Sequence, residues 1–203
     1  MAATIKICGL RDYNAIKMSV DSGAKYLGFV CDYPKSPRNI SPYKLVELME
    51  EISHFDAYKV AVTVNPDDTV IDIIKGSIDF LQLHGSETNQ RILEIKKRSN
   101  LKIIKAIKIG AEKDLQQLDS YPDADDLLLD TPAMEHSELF NFNLLDNRNI
   151  TSYFLAGGIN IHNAHQALQF TSKLDISSGL ESEPGIKDLE KIEKFMEEVK
   201  KYA

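Results

Sequence analysis

Tyr153-Phe154-Leu155-Ala156-Gly157-Gly158 and Leu174-Asp175-Ile176-Ser177-Ser178-Gly179 end alike: a short apolar run stops abruptly at small or polar residues. A run of four to eight residues rich in β-branched and aromatic side chains reads as a strand. Six earlier runs follow the same plan, giving strands over 4–8 (TIKIC), 25–30 (KYLGFV), 58–64 (YKVAVTV), 79–83 (DFLQL), 101–107 (LKIIKAI) and 125–130 (DDLLLD). The two opening runs complete the set as 151–156 (TSYFLA) and 173–176 (KLDI). Several are apolar on both faces, as strands covered on both sides must be.

The stretches between strands read as helices. In the last, 187–202, Leu189, Ile192, Met196 and Val199 recur every three or four residues and share one face. Asn65-Pro66-Asp67-Asp68 and Ser86-Glu87 supply helix-start chemistry. Strand–helix alternation of this kind implies a parallel sheet. Eight units in 203 residues fit an α/β fold of one domain, residues 1–203, as a single (β/α)8 TIM barrel; the same alternation also permits a doubly wound open sheet. Barrel chemistry sits at the C-terminal strand ends. Here those ends carry Cys8-Gly9, the PKSPR loop at 34–38, Asn65-Pro66, Gln82-Leu83-His84-Gly85, Asp130-Thr131, Gly157-Gly158 and Asp175 to Gly179.

Bulk properties narrow the class further. With 43% hydrophobic residues the chain can bury a sizeable core. A net charge of -7 argues against a nucleic-acid partner, which normally meets a basic face. No apolar run approaches the roughly 18 residues of a membrane helix. The opening residues are apolar too briefly, and lack the basic start, for a signal peptide. The two cysteines, Cys8 and Cys31, form no metal or disulfide pattern. The expectation is a cytoplasmic protein with no metal and no membrane partner.

In order along the chain, KICGLRD (6–12), GAKYLGFV (23–30), YPKSPRNIS (33–41), VAVTVNP (60–66), LQLHG (81–85), LLLDT (127–131), LAGGIN (155–160) and DISSGLESEPGIKD (175–188) resemble the phosphoribosylanthranilate isomerases. No single segment is specific; the ordered set is. The resemblance implies a cofactor-free Amadori rearrangement of N-(5-phosphoribosyl)anthranilate in tryptophan biosynthesis, by a monomer or homodimer. An acid opens the furanose ring to a Schiff base, and a base then removes the C2 proton.

Matched position by position, the resemblance makes Cys8 the base and Asp130 the acid. It puts Arg38 on the anthranilate carboxylate, Asp175 on a sugar hydroxyl, and Gly157, Gly158, Ser177, Ser178 and Gly179 at the phosphate. A thiol needs help to ionise near neutrality. Lys6, two residues earlier on the same strand, points to the same face and is placed to give it. Asp130 needs a raised pKa to donate a proton, which burial would supply; a plain alternative is a helix N-cap. Gln82 and His84 alternate along one strand, so both face the mouth, where His84 either binds substrate or braces its loop. The other histidines, His54, His136, His162 and His165, read as solvated, and Cys31 is assigned no chemistry.

One segment departs from the family. After Thr131 the family carries a glycine-rich stretch followed by Phe-Asp-Trp, whereas this chain reads PAMEHSELFNFNLL (132–145) without a glycine; Phe142-Asn143 is what remains of that landmark. Two other readings share the fold. One is a different phosphosugar isomerase, but the type shared with histidine synthesis is expected to have aspartate at Cys8 and twofold internal similarity. The other is a non-catalytic barrel that binds a phosphorylated metabolite or a protein partner.

Overall fold

The computed structural model of the chain describes residues 3–132, 139–146 and 148–202. Eight parallel strands, β1 (Thr4–Cys8), β2 (Tyr26–Val30), β3 (Tyr58–Thr63), β4 (Phe80–Leu83), β5 (Lys102–Lys108), β6 (Asp126–Asp130), β7 (Phe154–Leu155) and β8 (Lys173–Ile176), pair in sequence order. The ring closes where β8 pairs back onto β1, with Thr4 opposite Lys173 and Ile7 opposite Ile176. That pairing excludes the open sheet. Every strand lies within three residues of where the sequence places its ends.

The helices on the outside are α1 (Tyr13–Asp21), α2 (Pro42–Glu51), α3 (Asp68–Ile74), α4 (Asn89–Ser99), α5 (Ala164–Ala167) and α6 (Leu189–Lys200). Five begin at a polar residue whose side chain accepts an otherwise unpaired amide hydrogen bond: Asp12, Ser41, Asp67, Thr88 and Asp188. Two connectors expected as helices are tighter. Residues Glu112–Ser120 and Phe142–Leu145 wind as 3-10 helices. In the first, Asp114 accepts from the amides of Gly110 and Ala111 at 2.9 Å each.

Two more expectations are corrected here. The last helix starts at Leu189, not 187, because Asp188 caps it through the Lys191 amide at 3.1 Å. The residues before it form an antiparallel hairpin, β9 (Glu181–Glu183) and β10 (Ile186–Lys187), turning at Gly185 with φ +84°. Likewise the cap of α4 is Thr88 rather than Ser86-Glu87. Glu87 is buried, bonded to Lys105 Nζ at 2.9 Å and to the amides of Asn65 and Gly85.

Alternation along the strands splits the apolar side chains between two cores. The larger fills the space between strands and helices. The smaller lies inside the barrel and includes Val60, Val62, Ile104, Leu128 and Phe154. At the N-terminal end the interior is plugged by Tyr26, Tyr58, Phe80 and Phe154, with ring centroids 4.9 to 5.5 Å apart. The opposite end is therefore where the interior opens. No helix among the described residues is long and apolar enough to cross a membrane.

Candidate active site

At the C-terminal end of the barrel lies a cavity of about 510 Å³, within the range of small-molecule sites. Cys8, Arg38, Gln82, His84, Asp130 and Asp175 all line it, as do Gly157, Gly158, Ser177 and Ser178. Strand ends from every side of the ring thus converge on one space. Gly179 is the exception. A Cβ there would sit 2.3 Å from the Ile159 carbonyl, so this glycine lets the loop after β8 press against the loop after β7.

The β1–β8 wall is buried and charged. Lys6 and Asp175 face each other across the strand pair, Nζ to Oδ2 2.9 Å, with side chains 0% and 8% exposed. Burial works against the Lys6 ammonium, but Asp175 and the neighbouring Cys8 outweigh it and hold its pKa above the ordinary lysine value. Gly28, opposite Cys8 on β2, makes room for both side chains. A Cβ there would lie 2.8 Å from Cys8 Sγ and 3.0 Å from Lys6 Nζ. Burial pushes the Cys8 thiol up, Lys6 pulls it down, Asp175 pushes it up again and Lys187 pulls it down, and the balance stays above the usual thiol range. Lys6 acts in the expected direction, yet desolvation is the larger effect.

The β4–β6 wall is more open and held by longer contacts. Gln82 Nε2 lies 3.2 Å from His84 Nδ1. His84 Nε2 in turn lies 3.2 Å from Asp130 Oδ2, out of line for a hydrogen bond. With Gln82 as donor, His84 is the tautomer that carries its proton on Nε2, toward Asp130. The other carboxylate oxygen accepts from the Thr131 amide at 2.8 Å. Asp130 is 22% exposed, so the deep burial expected for it is absent.

Three buried side-chain atoms lack a hydrogen-bond partner among the described residues: Gln82 Oε1, His84 Nε2 and Asp175 Oδ1. Buried polar groups are nearly always satisfied. All three belong to residues lining this cavity, and together they offer a polar ligand two acceptors and a donor. On the far side Gly157 and Gly158 turn with φ +87° and +64°. Their carbonyls accept from the Phe140 amide and from the Asn160 and Asn163 side chains. The helical segments beside this loop and beside Ser177 are short, Ala164–Ala167 and Ser178–Leu180, so the dipole of a longer helix is not part of the arrangement.

Arg38 runs across Gly9, where a Cβ would come within 2.5 Å of its Cδ. It forks onto Glu181, Nε to Oε1 2.7 Å and Nη2 to Oε2 2.7 Å. Neither Glu181 nor its partner Lys187 stands out as a strand-end residue. The signal available was the Pro184-Gly185 turn, which places the two residues opposite each other. Cys31 is buried away from the cavity, its thiol pushed up to about 12 chiefly by burial. His54, His162 and His165 are exposed, and His136 lies outside the described residues. Of the divergent segment, 133–138 also lies outside them. Phe142 is buried, stacked on Phe170 with centroids 6.0 Å apart. No group of three or more potential metal ligands occurs among the described residues.

Over residues 5–198 the sequence matches the family described as N-(5'phosphoribosyl)anthranilate (PRA) isomerase. An N-(5'-phosphoribosyl)anthranilate isomerase of Paracoccus denitrificans is 38% identical over 209 residues, covering 97% of this chain and 96% of that one. The crystal structure of the Thermotoga maritima phosphoribosyl anthranilate isomerase superposes with a TM-score of 0.87 at 31% identity, over 99% of this chain and 100% of that one. A further crystal structure of such an isomerase, in complex with reduced 1-(o-carboxyphenylamino)-1-deoxyribulose 5-phosphate, superposes at 0.82 with 32% identity over 99% and 100%. By sequence and by fold alike, this chain belongs to the phosphoribosylanthranilate isomerase family.

Proposed function

We infer that the chain isomerises N-(5-phosphoribosyl)anthranilate to 1-(2-carboxyphenylamino)-1-deoxyribulose 5-phosphate, a step of tryptophan biosynthesis, in the cytoplasm. The observation that carries the reading is that Cys8 and Asp130 open onto one cavity from different strands, with orphaned polar atoms between them. Two groups of opposite protonation state acting on one substrate are what an aldose–ketose rearrangement needs.

Asp130 gives its proton to the furanose oxygen, and the C1–O bond breaks to leave a protonated Schiff base. The Cys8 thiolate then takes the proton from C2. The C2–H electron pair moves into a C1–C2 double bond and neutralises the iminium, and the enolamine relaxes to the aminoketose. Desolvation favours the neutral thiol in the resting site. The developing iminium charge beside it would draw the proton balance toward thiolate as the reaction proceeds. Lys6, locked to Asp175, supplies a fixed positive charge there at no reorganisation cost.

The same reading gives the lining residues their binding roles. Asp175 Oδ1 and Gln82 Oε1 accept from sugar hydroxyls. The amides of Gly157 and Gly158, with Ser177 and Ser178, receive the phosphate. Arg38 meets the anthranilate carboxylate, and Val30 and Val62 flank the ring. Mixing the purified protein with freshly made phosphoribosylanthranilate should quench anthranilate-type fluorescence faster than spontaneous decay. Folded protein that leaves the decay unchanged would refute the reading.

A further inference from the structure

Arg38 reaches the cavity already bound. Its Nε and Nη2 form a side-on fork with Glu181, both contacts at 2.7 Å. A guanidinium has five N–H donors in a fixed plane, so the side-on edge is spent. The end-on edge, made by one Nη1 hydrogen and the second Nη2 hydrogen, has no partner among the described residues. That edge matches a carboxylate as well as the side-on one does.

Glu181 is itself fixed from several directions, its side chain only 4% exposed. Lys187, opposite it in the hairpin, donates to Oε1 at 2.7 Å and to the Ser177 carbonyl at 3.0 Å. The Gly185 amide donates to Oε2 at 3.2 Å, and Lys191 Nζ holds the Glu181 carbonyl at 2.6 Å. Gly185 also presses on the Pro37 carbonyl, where a Cβ would come within 2.5 Å, and Arg11 donates to that carbonyl at 2.7 Å. The hairpin after β8 is thus strapped to the loop after β2, which carries Arg38. Two cationic side chains share one carboxylate, leaving a formal surplus positive charge on a wall of the cavity.

We propose that Glu181, braced by Lys187, is a positioning residue that fixes the Arg38 guanidinium side-on so that its end-on edge receives the carboxylate of the anthranilate ring. The proposal rests on the substrate reading given above. A free arginine would have to freeze its long side chain on binding, at a cost of rotamer entropy. The brace makes that ordering part of folding, so its loss should appear in KM rather than kcat.

The test is a double-mutant cycle read by KM and kcat. Glu181→Gln should raise KM about ten-fold, inside the range over which contacting residues couple, with kcat changed by less than about two-fold. Glu181→Asp should recover part of the loss. In an Arg38→Met background, where KM is already raised, Glu181→Gln should add nothing. If Glu181→Gln strands its two cations and fails to fold, the paired Glu181→Met/Lys187→Met variant removes the carboxylate with one of them and should show the same KM rise. An unchanged KM in the folded Glu181 variants, with Arg38→Met raising it, would overturn the brace alone. An equal KM rise in both backgrounds would also overturn it, because Glu181 would then act without Arg38. An unchanged KM in Arg38→Met would overturn the brace and the carboxylate contact together.

Discussion

The two walls of the cavity are built on opposite principles. The β1–β8 wall is buried and wired by an ion pair, with Cys8 beside Lys6 and Asp175. The β4–β6 wall is part-exposed and joined by contacts of 3.2 Å, from Gln82 through His84 to Asp130. A buried ion pair contributes little net stability because desolvation offsets its attraction, so the first wall is better understood as fixing charge near the thiol. The second leaves the Asp130 carboxyl group within reach of solvent. The groups proposed as base and acid thus differ in environment as well as in residue type, the general pattern by which two titrating groups take opposite roles.

The largest effects should come from the two reacting groups. Cys8→Ser and Asp130→Asn should each lower kcat by about 10²–10⁴-fold, the usual contribution of a positioned acid or base. Asp130→Asn should still bind product, by titration of its fluorescence, because the other wall is untouched. Loss of binding and turnover together would give Asp130 a structural part.

Next in size is the ion pair. Lys6→Met leaves Asp175 buried and unpaired, and should cost about 3–5 kcal/mol in a denaturant titration. A loss under about 1 kcal/mol would mean that water or a relaxed barrel reaches Asp175, and the contrast between the walls would weaken.

A third effect is in pH. Because burial holds the free-enzyme Cys8 pKa above the usual thiol value despite Lys6, kcat/KM should still be rising with pH through the ordinary thiol range. A limb that levels off below that range would show that Lys6 outweighs desolvation.

The smallest concerns a thiol outside both walls. Cys31 is pushed from 9.0 to about 12 in the fold. The unfolded chain therefore loses this proton first, so its contribution to stability is intact below pH 9.0 and is lost as pH rises toward about 12. Cys31→Val should flatten that alkaline slope in thermal melts while leaving turnover unchanged.

The same contrast explains what was legible in the sequence. Strand periodicity alone places Lys6 and Cys8 on one face and Gln82 and His84 on another; Lys6 and Cys8 do interact, and Gln82 and His84 do share the cavity. Strand–helix alternation by itself permits both the barrel and an open sheet; the barrel reading holds, and the β8–β1 pairing that closes it lies beyond any local pattern. Glu87 looked like first-turn chemistry but turns inward to Lys105, a contact from the loop after β4 to strand β5 that no local pattern encodes. Glu181 and Lys187 were hidden for a related reason. Their meeting depends on the Gly185 turn, and helical periodicity farther along made residue 187 look like a helix start. The roles given to Arg38 and to the phosphate loops came from resemblance, and only the structure shows that Glu181 already holds one edge of Arg38.

The assignment of base to one wall and acid to the other is tested most directly by a kinetic isotope effect on kcat, using substrate deuterated at C2. In Cys8→Ser, C–H cleavage should limit turnover and the effect should rise above that of the unaltered protein. In Asp130→Asn, ring opening should limit and the effect should fall toward unity. The reverse pattern, or the same effect in both variants, would contradict the account.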